Sequence, residues 1–124
     1  MVLYRKGVKL DPTNYLALNN LCTLELHSGE LQSALDHLTR AISLKPAFFS
    51  ARINHAEAEK RLGYHDTALL DYNLVLKHNP HWASVYENRG DVRLLQQDYE
   101  GAYDDFCRAI ALNPALEDAG LKKQ

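Results

Sequence analysis

The chain is short of several things that would announce a function. It has only two cysteines, Cys22 and Cys107, far apart and in no metal-binding or redox spacing. They read as free thiols of a reducing compartment, so a cytoplasmic location is expected. Neither sign of charge dominates: the net charge is −2, with acids and bases interspersed. That gives no electrostatic reason to expect nucleic acid or an anionic membrane as partner. No apolar run approaches the roughly 18 residues of a spanning helix. The opening "MVLYRKGVKLDP" lacks the uninterrupted apolar core of a signal peptide. A phosphate-cradling loop, a Ser/His/Asp arrangement and paired carboxylates with a pocket are also missing, so no enzyme, cofactor or metal site is expected. What is present suffices for one folded domain: 124 residues, 46% of them apolar.

The few prolines are the most informative residues. They stand at Pro12, Pro46, Pro80 and Pro114, 34 residues apart each time. The same shift aligns Ala34, Ala68 and Ala102, then Leu38, Tyr72 and Phe106. It also aligns Ala41, Val75 and Ala109, and Ile42, Leu76 and Ile110. Cys22, Ala56 and Gly90 share a slot for small residues; Gly29 and Gly63 share another, where the third copy has Gln97. A fixed period of this length marks a repeat architecture.

Each unit reads as two helices. The first helices are expected over Tyr15–Ser28, Phe49–Leu62 and Ala83–Gln96. The second are expected over Leu31–Leu44, His65–His78 and Tyr99–Leu112. Gly29 and Gly63 suit the left-handed residue that ends a helix. Each proline keeps the next boundary from drifting. The small slots let helices approach closely and the large slots fill the space between them. No strand-like alternation competes, so the expected fold is an all-α solenoid of antiparallel helix pairs.

These residues resemble the tetratricopeptide repeat (TPR) family over essentially the whole chain. Its pattern runs aromatic, Leu, Gly, Tyr, then Ala, aromatic, Ala and Pro. The third copy matches best, with Tyr86, Gly90, Tyr99, Ala102, Phe106, Ala109 and Pro114. Arg52 departs from the usual aromatic, and His55 and Arg89 from the usual Leu. The resemblance implies a right-handed superhelix in one array: repeats at 15–48, 49–82 and 83–116. "YRKGVKLDP" matches "FCRAIALNP", so residues 1–14 read as the second half of a preceding repeat. Residues 117–124 read as a partial capping helix. The open half-repeat, with Tyr4 and Val8, suggests either a piece of a longer array or a homo-oligomer contact.

Two facing slots predict ion pairs. Leu21, His55 and Arg89 occupy one, and His37, Asp71 and Asp105 the other, 16 residues later. An Asp follows wherever the first slot carries a cation-capable group. Arg89–Asp105 and His55–Asp71 pairs are therefore expected, since a partly buried Arg needs a carboxylate. A catalytic reading of His55–Asp71 lacks a nucleophile. His78 and His81 flank Pro80, but two ligands on a turn are too few for structural zinc. Cys22 should act as a compact hydrophobe, and Cys107 lacks an activating neighbour.

Asn20, Asn54 and Asn88 recur in one slot despite a mediocre helix propensity. The resemblance places that face on the concave groove. With first helices about 10 Å apart and a peptide advancing about 3.3 Å per residue, one Asn meets about every third ligand residue. An amide can grip a peptide backbone without reading side chains. The arrangement is similar to the asparagine ladder of the GlcNAc transferase that modifies Ser and Thr. The alternative is that these Asn bond a neighbouring helix. Glu57, Glu87 and Asp91 share the groove face, and Glu87 and Asp91 repel each other mildly. They favour a neutral or basic segment. Chaperone-binding members of the family clamp a C-terminal carboxylate with Lys, Asn, Asn, Lys and Arg. Here those slots hold Asn19, Thr23, Asn54, Ser84 and Asn88, so a chaperone tail is not expected. The expected function is thus a non-catalytic module that binds protein.

"RGD" at Arg89–Asp91 is an accident of this pattern. On a helix, residues two apart face different ways, so Arg89 should turn inward and Asp91 toward the groove.

Overall fold

The computed structural model describes residues 14–114. These hold six helices and no strand: α1 Tyr15–Ser28, α2 Leu31–Leu44, α3 Phe49–Leu62, α4 His65–His78, α5 Ala83–Leu95 and α6 Tyr99–Leu112. The expected half-repeat with Tyr4 and Val8, and the expected capping helix, lie outside the described residues. The chain divides into two compact units, Met1–Ala68 and Leu69–Gln124, with the division inside α4.

Helix ends explain the boundaries. Asn14 caps α1 by accepting from the Ala17 N–H at 3.1 Å, and Asp98 caps α6 by accepting from the Gly101 N–H at 3.0 Å. Each satisfies a donor that the first turn leaves over. The first helices all end the same way. Gly29, Gly63 and Gln97 take positive φ of 82°, 90° and 65°. The next N–H then reaches back to the carbonyl of Glu25, Glu59 or Arg93, at 2.9, 2.8 and 2.8 Å. This is a Schellman cap repeated three times. It ends α5 at Leu95, one residue before the expected Gln96.

In the first unit, α1 packs on α2, α2 on α3, and α1 on α3. Leu18, Cys22, Leu26, Ala34, Leu38, Ala41, Ala51 and Ala58 are buried together. Tyr15 meets Phe48 edge-on, with ring centroids 5.4 Å apart. Burying each Leu contributes about 1.5–3 kcal/mol. The alanines contribute closeness, because a larger side chain would hold the helices apart.

In the second unit, α5 packs on α6. Gly90 lies against Phe106: a Cβ there would stand 2.6 Å from the ring. Its smallness is thus a packing requirement of this hairpin. Tyr86 is buried and donates its hydroxyl to the Pro80 carbonyl at 2.9 Å, which anchors the turn before α5.

Candidate functional site

Inside the α1–α2 and α5–α6 hairpins lie polar groups where an ordinary core would be apolar. In the second unit, Asp105 is almost fully buried. Arg89 grips it with two bonds, Nε to Oδ2 at 3.0 Å and Nη2 to Oδ1 at 2.7 Å. Arg93 adds Nη1 to Oδ2 at 2.9 Å. Arg89 also donates to Asn73 Oδ1 at 2.9 Å. The Tyr86 ring lies near Arg89 and Arg108, at 5.4 and 5.5 Å from its centroid. The expected Arg89–Asp105 pair is present, with Arg93 as an additional partner. Arg89 is thereby committed within the fold, so "RGD" is no displayed loop motif.

In the first unit, Glu25 is fully buried and its Oε1 lies 2.8 Å from His37 Nδ1. Cys22, also fully buried, points its Sγ at the Ala34 carbonyl, 3.4 Å away. Burial first, then the Glu25 carboxylate, pushes the Cys22 thiol up to about 12. His55 places Nδ1 3.0 Å from Glu59 Oε1 and Nε2 3.1 Å from Thr39 Oγ1. Glu59 and Thr39 are thus partners of His55 that the expected pairing with Asp71 omitted.

Glu25, Glu59 and Arg93 were not singled out in the sequence, although they share a 34-residue slot. The signal was available: two carboxylates and a guanidinium recur in one slot, four residues after the inward-facing slot of Leu21, His55 and Arg89. A charged residue on that packed face demands a partner.

The asparagine face is partly committed. Asn54 Nδ2 donates to Asn19 Oδ1 at 3.1 Å, joining α3 to α1. This is the neighbouring-helix bond left open as the alternative. Asn20 is exposed and Asn88 half-buried. Glu57 is held by Lys60 at 3.1 Å and Arg61 at 2.7 Å, so its charge is largely spent. Arg61 also donates to the Leu26 carbonyl at 2.9 Å. Glu87 and Asp91 are half-buried on α5.

The remaining conspicuous groups are surface features. His78 and His81 are exposed and line a dish of about 390 Å³ with Asn79, Pro80 and Trp82. Cys107 is exposed on α6, where a hydrogen bond between it and Tyr103 raises the phenol above its ordinary value. Among the described residues, no helix is long and apolar enough to cross a membrane.

A family model described as "Tetratricopeptide repeat" matches residues 83–116. The human DnaJ homolog subfamily C member 3 is 36% identical over 95 residues, covering 77% of this chain and 18% of that protein. RNA polymerase II-associated protein 3 of Xenopus tropicalis is 31% identical over 107 residues, covering 86% of this chain and 16% of that protein. The chain thus spans under a fifth of either relative. Among solved structures, the first TPR of Spaghetti (RPAP3) bound to the HSP90 peptide SRMEEVD is 28% identical, with a TM-score of 0.77. It covers 84% of this chain, which covers 82% of it. A chaperone peptide on that neighbour stands against the expectation that such a tail is foreign to this chain, which rested on five slot residues alone.

Proposed function

Because the chain is a tetratricopeptide-repeat protein, we propose that it is a non-catalytic module that binds an extended segment of another protein along the faces of its first helices. One observation carries this reading. In the first unit the first helices α1 and α3 are neighbours, joined through Asn19 and Asn54, and Asn20 stands exposed beside that junction. Asn54 gives one amide N–H to Asn19; among the described residues its carbonyl has no hydrogen bond. Asn20 and Asn88 likewise have none there. Each can accept from and donate to a peptide group. Glu87 and Asp91 bias the ligand toward neutral or basic sequence, and Glu57 adds little because Lys60 and Arg61 neutralise it.

The same slots bear on the chaperone peptide. A C-terminal carboxylate needs charge-assisted donors. Asn19, Thr23, Asn54, Ser84 and Asn88 supply no cation, and the adjacent acids oppose the EEVD end. The RPAP3 neighbour nonetheless carries SRMEEVD, so this peptide is a ligand to test beside neutral and basic sequences. A peptide array probed with the full chain tests both classes. Neutral or basic binders that fade with Asn20→Ala and Asn88→Ala support the reading. Binding that ignores both substitutions removes the asparagines from it, and strong capture of SRMEEVD reverses the ligand class.

A further inference from the structure

We propose that Cys22, Glu25 and His37 form a binding site for a single zinc ion within the α1–α2 hairpin. Cys22 and Glu25 stand three apart on α1 and so share a face; His37 meets them from α2. One ligand atom from each lies within 4.8 Å of the other two. Cys22 and Glu25 are both fully buried. A thiolate, an imidazole nitrogen and a carboxylate oxygen are the donor set that suits zinc over calcium or magnesium.

The second observation is an orphan. Glu25 Oε2 is buried and has no hydrogen-bond partner among the described residues. A buried carboxylate oxygen left so is costly, and His37 serves only Oε1. An ion placed between Sγ, Nδ1 and the carboxylate would meet both oxygens. It would also cancel the charge of one thiolate and one carboxylate, leaving the site neutral.

Zinc bond lengths of about 2.0–2.3 Å put tetrahedral ligand atoms about 3.3–3.6 Å apart. Nδ1 and Oε1, now 2.8 Å apart, must separate by about half an ångström, and Sγ must draw in. Turns of the His37 and Cys22 side chains cover such distances. On binding, the thiol proton leaves to solvent, and the imidazole carries its proton on Nε2 instead of Nδ1. The His37 side chain is 30% exposed, which gives the ion an entry path and room for a water as fourth ligand.

The other repeats do not carry this set. The corresponding slots hold Ala56, Glu59 and Asp71, and then Gly90, Arg93 and Asp105. The first of these slots accepts Ala, so Cys22→Ala removes the sulfur with little disturbance.

The test is a cobalt titration of the chelator-treated full chain, with circular dichroism of every variant as a folding control. The expected result is a near-ultraviolet thiolate-to-cobalt band saturating at one ion per chain and bleached by zinc. Cys22→Ala abolishes it and Cys107→Ala leaves it. Glu25→Gln and His37→Gln weaken zinc binding by more than about tenfold, since even outer partners of a metal ligand are worth that much. The absence of a thiolate band, or a band that survives Cys22→Ala, overturns the proposal.

Discussion

Arg89 holds Asp105 with two near-parallel bonds of 3.0 and 2.7 Å, joining the two helices of the α5–α6 hairpin. The pair is unequal in consequence, because Arg93 leans on the same carboxylate. Asp105→Asn strands two guanidiniums against the core. It is expected to cost about 3–5 kcal/mol, the penalty for breaking a buried pair. Arg89→Leu, which installs the residue of the first repeat, leaves Asp105 with Arg93 and should cost less than half as much. Urea denaturation of the two variants measures the difference; equal losses would mean that Arg93 does not share the load.

Gly90 is fixed by Phe106. A Cβ at 2.6 Å from the ring forces a shift, so Gly90→Ala should destabilise by about 1–3 kcal/mol. Adding Phe106→Leu, the pairing of Cys22 with Leu38 in the first repeat, should recover part of that loss. Additive losses in the double variant would contradict the contact.

Much of this was legible in the sequence, for a physical reason. A repeat samples one structure several times, so helix ends, small slots and large slots reinforce one another. The Schellman caps at Gly29 and Gly63 and the Arg89–Asp105 pair followed from that alignment. What escaped was the company each polar residue keeps. Glu25, Glu59 and Arg93 had no consensus slot to draw attention to them, and His55 found Glu59 on its own helix and Thr39 on α2. Such choices depend on rotamers and on distances across the hairpin, which spacing does not encode. For the same reason the sequence left Asn54 between a groove role and a bond to a neighbouring helix, without naming Asn19 as its partner.

Gln97 shows where the repeat is not optimised. It holds the left-handed conformation, φ 65°, that Gly29 and Gly63 hold in the other caps. A side chain there costs about 1–2 kcal/mol. Gln97→Gly should therefore raise stability by about 1 kcal/mol, less the extra entropy of the unfolded glycine. Thermal denaturation reads the gain; a loss would mean that the Gln side chain has a role of its own.

The thiols should separate cleanly. Cys107 is exposed, whereas Cys22 is buried with its thiol pushed up to about 12. At neutral pH Cys22 is protonated and shielded, so an aromatic disulfide reagent should label one thiol quickly and the second only on unfolding. Two fast thiols would contradict the closed α1–α2 core.

The central claim is that the first-helix asparagines grip an extended partner. Fluorescence anisotropy with the best neutral or basic peptide from the array, on the wild-type chain and on Asn20→Ala/Asn88→Ala, tests it most directly. Two lost amide contacts at about 0.5–1.5 kcal/mol each predict a weakening of roughly five- to 150-fold. An unchanged affinity in the folded double variant contradicts the claim.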